Sequence, residues 1–174
     1  ASMAVARIGS SSTVLSDGRV LVAGGASGTF NSPVASSTLY NPDGGIDHTG
    51  SFIGGVPMLT ARSNASMVRL PEDRVLIAGG QNTFMNYYTS AEIWTPTTTN
   101  VATGSMSVAH VKGVTSLLPN GKVLIAGGIE SDTSITAVAE LYNPVSGTFS
   151  TTDPNAEDTF TYTLVSGDGD ADNS

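Results

Sequence analysis

The sequence predicts an all-β protein made of three like four-stranded sheets, and three observations carry that expectation. One stretch is written three times: residues 18–25, 73–80 and 121–128 read GRVLVAGG, DRVLIAGG and GKVLIAGG. Other landmarks keep step with it at spacings of 55 and 48 residues, among them Met3 to Arg7, Met58 to Arg62 and Met106 to His110. The composition agrees, with 20 Gly, 13% charged and 6% aromatic residues among 174, far from a helical bundle or coiled coil. Self-similarity at a fixed long period marks a repeat architecture, so it is settled before any search for motifs.

Each unit opens on the Met-to-Arg segment and continues into a strand, expected near residues 11–15, 65–70 and 114–118. A turn follows, Ser16-Asp17-Gly18, Pro71-Glu72-Asp73 or Pro119-Asn120-Gly121, rich in residues that reverse the chain. The repeated apolar run then forms the second strand, near 19–23, 74–78 and 122–126, and stops at the Gly pairs Gly24-Gly25, Gly79-Gly80 and Gly127-Gly128. After a variable loop comes a strand ending in Leu39-Tyr40-Asn41-Pro42, Ile93-Trp94-Thr95-Pro96 or Leu141-Tyr142-Asn143-Pro144, near 36–40, 91–95 and 137–142. A weaker fourth strand is expected near 50–54, 100–103 and 148–151. Four antiparallel strands in about 50 residues make one blade of a β-propeller.

The Met-x-x-Ala-Arg opening, the Gly-x-Val-Leu-Ile/Val-Ala-Gly-Gly core and the Ala-Glu-x-aromatic-x-Pro segment resemble kelch repeats of the bacterial kind, similar to those in the propeller of galactose oxidase. The resemblance covers roughly residues 3–150 and implies three blades, about 3–57, 58–105 and 106–150. The Gly pairs are expected where backbone or a bulky neighbour takes the space of a side chain. Tyr40, Trp94 and Tyr142 are expected to pack blade on blade rather than to stack on a ligand. Arg62 and Glu92 are the best-supported candidate for an ion pair within or between blades. The first unit has Thr38 where Glu would stand, and the third has His110 in place of Arg. His110 is thus read as a substituted structural position, and His48 as a solvated loop residue.

Residues 151–174 differ. They hold six of the fifteen acidic residues and none of the seven basic ones, which suggests a boundary near residue 150. An Asp-Pro turn, a Thr-Tyr-x-Leu strand and an Asp-rich loop there resemble the early part of a bacterial cadherin-like repeat. Residues 159–165 alternate in the manner of a strand. Asp168, Asp170 and Asp172 could supply three hard oxygen ligands to calcium, although the run lacks the sixth-position Gly and the closing Glu of an EF-hand loop. A solvated acidic segment is the competing reading.

Charge and composition exclude several classes. A net charge of -8 and a pI near 4.4 argue against a nucleic-acid duplex or an anionic membrane as partner. With no cysteine, disulfides, thiolate metal sites and cysteine nucleophiles are excluded together. So is the copper site with a cysteine-crosslinked tyrosine that galactose oxidases use. No sialidase box, Gly-x-Ser-x-Gly elbow, phosphate loop or zinc pattern occurs. No apolar run is long enough to span a membrane, and the first residues fall directly into repeat material, so a leader is expected to be absent or removed.

Three blades fall short of the roughly four to eight that close a propeller. Either the chain belongs to a longer propeller, or two copies complete a ring, or copies join head to tail with residues 159–165 added to a neighbour's sheet edge. The expected function is a non-enzymatic extracellular or cell-surface module of bacterial type for adhesion, recognition or scaffolding, with no cofactor unless calcium. Its first candidate contact for protein or glycan is the loop carrying Asn82, Phe84, Met85, Asn86, Tyr87 and Tyr88. The alternatives are a self-assembling fibre or surface-layer protein and a fragment of a carbohydrate-active propeller enzyme.

Overall fold

A computed structural model describes residues 1–28, 32–45, 49–83, 85–132 and 134–151. The first blade holds β1 (Ser11–Val14), β2 (Val20–Ala23), a short hairpin of β3 (Ala26–Ser27) and β4 (Ser32–Pro33), then β5 (Ser37–Asn41) and β6 (Ser51–Gly54). The second holds β7 (Ser66–Arg69), β8 (Val75–Ala78), β9 (Ala91–Trp94) and β10 (Val101–Ala102). The third holds β11 (Val114–Leu117), β12 (Val123–Ala126), a hairpin of β13 (Ile129–Ser131) and β14 (Ser134–Ile135), then β15 (Ala139–Asn143) and β16 (Thr148–Ser150). The sheet orders are β1-β2-β5-β6, β7-β8-β9-β10 and β11-β12-β15-β16, with every neighbouring pair antiparallel. The fold is all-β and of β-propeller type. A 3-10 turn, Pro71–Asp73, forms the β7–β8 connection.

The first strands line up from blade to blade, with β1 against β7 and β7 against β11. That contact sets the three sheets side by side like sectors about one axis. Each joint is filled by residues from two units. Leu15, Leu21, Ala23 and Leu39 of the first blade pack against Met58, Val75, Ile77 and Trp94 of the second. Leu70, Leu76, Ala78 and Ala91 of the second pack in the same way against Met106, Val123, Ile125 and Tyr142 of the third. Alternation along β2, β8 and β12 explains why: a side chain of one parity looks back at the preceding blade, its neighbour forward to the next. Sealing one such Leu, Val or Ile from water stabilises by roughly 1.5–3 kcal/mol, so the joints hold the fold.

Polar bonds fix the register of those joints. Trp94 Nε1 donates to the Val56 carbonyl at 2.8 Å, and the hydroxyls of Tyr142 and Thr103 meet at 2.8 Å. At the β1–β2 turn, the backbone N–H of Ser16 donates to Asp73 Oδ1 at 2.8 Å and its hydroxyl to Oδ2 at 2.5 Å. These bonds, with Arg69 3.6 Å away, hold the Asp73 carboxyl below the usual carboxylate range.

Candidate functional site

One constellation repeats in all three blades. Arg7 Nη1 donates to the Gly24 carbonyl at 2.9 Å, Arg62 Nη1 to the Gly79 carbonyl at 2.6 Å, and His110 Nδ1 to the Gly127 carbonyl at 2.7 Å. Both arginines also reach the chain two residues before the β5 or β9 position of Thr38 or Glu92, through Ser36 O and Ser90 O at 2.9 Å. The cation therefore ties the end of the second strand to the start of the third. In the second blade Arg62 lies 3.5 Å from Glu92, with both side chains 99% buried, and the Tyr88 ring covers its guanidinium at 5.3 Å. Burial lowers the Arg62 pKa, and Glu92 and Tyr88 oppose that shift.

The carboxylate is a hub. Glu92 Oε2 accepts from the Leu59 N–H at 2.7 Å and from Asn100 Nδ2 at 3.3 Å. Glu140 accepts from the Ser107 N–H at 3.0 Å, from the Val108 N–H at 3.3 Å, and faces His110 Nε2 at 3.3 Å. In the first blade, Thr38 occupies the carboxylate position, and Arg7 has only the carbonyl and serine oxygens. Arg62, Glu92, His110 and Glu140 are buried and lock the second and third blades, whereas Arg7 is half-buried.

The glycine pairs do a related task. A Cβ on Gly24 would lie 2.5 Å from the Arg62 carbonyl, and one on Gly79 would lie 2.9 Å from the His110 carbonyl. The Gly25 N–H in turn donates to Arg62 O at 2.9 Å. The backbone of the following unit thus occupies the space that a side chain would need, and φ of +65° and +70° at these two positions suits glycine in any case.

Two residues past Arg7, Arg62 and His110, Gly9, Asn64 and Lys112 occupy equivalent places with left-handed φ of 65°, 54° and 59°. They form a chain of backbone bonds from blade to blade: the Asn64 N–H donates to Gly9 O at 2.8 Å, and the Lys112 N–H to Asn64 O at 3.1 Å. This row rims the end of the axis where the first strands begin. A hollow of about 370 Å³ opens there, lined among others by Asn64, Gln81, Asn82, Thr83, Met85 and Lys112. Among the described residues, no His, Asp or Glu lines it. A second hollow of about 270 Å³ lies at the opposite end of the blades, around Ser16 and Asp73, whose polar groups are already bonded to each other.

The residues singled out from the sequence divide accordingly. Asn82 and Met85 line the mouth hollow, and Asn86 closes the loop by donating its N–H to Asn82 Oδ1 at 3.0 Å. Tyr88 turns away onto Arg62. Tyr87 bonds Asp132 of the third blade, which raises the phenol's pKa. Trp94 and Tyr142 are buried in the joints and Tyr40 is half-buried, 5.0 Å from Phe52. Phe84, His48, and the calcium candidates Asp168, Asp170 and Asp172 lie outside the described residues. Among the described residues, no three His, Asp or Glu side chains gather as a metal set would. Sequence reasoning missed the rim residues Asn64 and Lys112; their offset of two from each Arg or His was the signal that could have found them.

Solved structures share this architecture. The structure of YjhT matches with a TM-score of 0.70 at 13% identity, over 87% of this chain and 47% of that one. A fungal alcohol oxidase of the AA5 family, solved in complex with copper, matches with a TM-score of 0.59 at 16% identity, over 87% of this chain and 44% of that one. At such identities the likeness shows the fold alone, consistent with the kelch-type blades expected from the repeats. The chain spans about half the length of either neighbour. No family model and no curated protein matches it.

Proposed function

We propose that the chain is a non-enzymatic recognition module whose axial mouth holds a hydroxyl-rich ligand, a glycan end being the chemistry that fits best. One observation carries the reading: the carboxamides of Asn64, Gln81 and Asn82 and the hydroxyls of Ser63 and Thr83, all from the second blade, line one hollow of about 370 Å³ together with Lys112 of the third. Amide and hydroxyl groups offer both donors and acceptors at short range, as sugar hydroxyls require. Met85 and Ile8 supply apolar surface beside them, the usual composition of a ligand site. Among the described residues, the lining offers amides, hydroxyls and Lys112 but no nucleophile paired with a base, which supports binding rather than turnover. Copper chemistry of the crosslinked-tyrosine kind does not fit a chain without cysteine. In this reading the module works at the cell exterior, a setting compatible with its acidic, cysteine-free composition.

The test is calorimetric titration with neutral and acidic oligosaccharides, in calcium and in chelator. Lys112→Gly removes the cation while keeping a residue at ease with φ of 59°. Loss of one charge-assisted bond should weaken binding about tenfold. A wild-type chain that binds no oligosaccharide, or a Lys112→Gly variant that binds as tightly as the parent, sinks the reading.

A further inference from the structure

The three units repeat their joint-forming residues, yet burial at those positions differs by place in the row. On the side facing the preceding blade, Met58, Arg62, Val75, Ile77 and Trp94 of the second unit are sealed, as are Met106, His110, Val123, Ile125 and Tyr142 of the third. Their equivalents in the first unit, Met3, Arg7, Val20, Val22 and Tyr40, are only half-buried. On the side facing the following blade the pattern is reversed. Leu15, Leu21 and Ala23 of the first unit and Leu70, Leu76 and Ala78 of the second are sealed, whereas Leu118, Leu124 and Ala126 of the third are half-buried. The glycine slots agree: those beside Gly24 and Gly79 are filled by the backbone of Arg62 and His110, and by the Met58 and Met106 methyls, whereas a Cβ on Gly127 would meet nothing closer than 3.8 Å among the described residues. One end of the chain therefore presents the insert, and the other end presents the empty seat, of a joint it already makes twice.

We infer that a second copy of this chain occupies both faces, closing a six-bladed ring of two chains. The Met3-to-Arg7 segment of each copy seats beside Gly127 of the other, and the two joints are related by a two-fold axis. Six blades lie within the roughly four to eight at which propellers close. Once one joint forms, the second is intramolecular, so closure outcompetes addition of a third chain. Closure also brings a second set of Gly9, Asn64 and Lys112 to the same axis, which completes the mouth.

Light scattering on the eluting chain reads the result. The expected species has twice the 17.7 kDa of one chain and keeps that mass as concentration rises. Gly127→Asn fills the seat with the non-glycine residue that best accepts φ of 64°, in space that the single chain leaves open, so it should give a folded monomer. Val22→Glu blocks the other face and should do the same. Val145→Glu, at a residue 97% exposed, should leave the dimer intact. Trp94 emission, from the sole tryptophan, checks that each variant keeps its first internal joint. A wild-type monomer, a ladder of species growing with concentration, or a dimer that persists in both face variants overturns the inference. Dimerisation is read by mass and the mouth by sugar titration, so either can fail without the other.

Discussion

His110 reaches the Gly127 carbonyl oxygen at 2.7 Å, across the same 17 residues by which Arg62 reaches that of Gly79. A carbonyl only accepts, so Nδ1 carries a hydrogen, and Nε2 faces Glu140 Oε1 at 3.3 Å. An imidazole thus performs the strand-tying work of a guanidinium while keeping the buried carboxylate in place.

Replacing His110 by Leu should leave the Gly127 carbonyl and Glu140 without that buried polar partner and cost about 1–3 kcal/mol. His110→Arg restores the residue found in the other two units and should retain most of the parental stability. Urea unfolding followed by Trp94 emission measures both; equal losses in the two variants would show that the polar tie at this position is immaterial.

Glu92→Ala should cost more than any exposed substitution in the chain. It orphans the Leu59 N–H, leaves Asn100 Nδ2 with the Pro57 carbonyl at 3.1 Å, and strands Arg62 in a sealed site. Breaking a buried pair by removing one partner costs about 3–5 kcal/mol. Arg62→Met together with Glu92→Leu should recover part of that loss, and the double-mutant cycle gives the coupling directly.

Gly18→Ala and Gly24→Ala separate strain from collision. Both have positive φ, 83° and 65°, so each pays about 1–2 kcal/mol of backbone strain. Nothing lies within 4 Å of a Cβ at Gly18, but one at Gly24 would meet the Arg62 carbonyl at 2.5 Å. The Gly24 variant should lose clearly more stability by urea denaturation; equal losses would mean the slot relaxes freely.

Acid should loosen the joint between the first two blades. The Asp73 pKa is depressed in the folded chain, chiefly by the Ser16 hydroxyl and then by its N–H. Its contribution is therefore fully present above the unfolded-state value of about 3.9 and is lost as pH falls through the lower folded-state value. Asp73→Asn should flatten that limb of the stability curve between about pH 4 and the lower folded-state value. An unchanged acid limb in the variant would remove Asp73 from the account.

The blade strands were legible because their signals are local. The run ending in each Gly pair, the turn before it and the aromatic-Pro segment after it put β2, β8 and β12, and β5, β9 and β15, within one or two residues of where they stand. The hairpins β3–β4 and β13–β14 were not, since Ala26, Ser27, Ser32 and Ser134 carry no strand pattern and owe their pairing to the flanking loop geometry. The Arg62–Glu92 pair could be named from its spacing, but its chief acceptor could not: the Gly79 carbonyl is a backbone atom that every residue has. The mouth was half-legible. Asn82 and Met85 stood out in a polar, aromatic loop, whereas Asn64 and Lys112 matter through a left-handed backbone that their residue types do not announce.

The row Gly9, Asn64 and Lys112 has a consequence for how such a protein changes over time. Its main-chain links run from one sector to the next without using any side chain, so the spindle holds with any residue that accepts the left-handed backbone there. The present chain already spells a hydrogen, a carboxamide and an ammonium at three equivalent points. What the mouth prefers can be rewritten one letter per sector, while the scaffold that holds it stays the same.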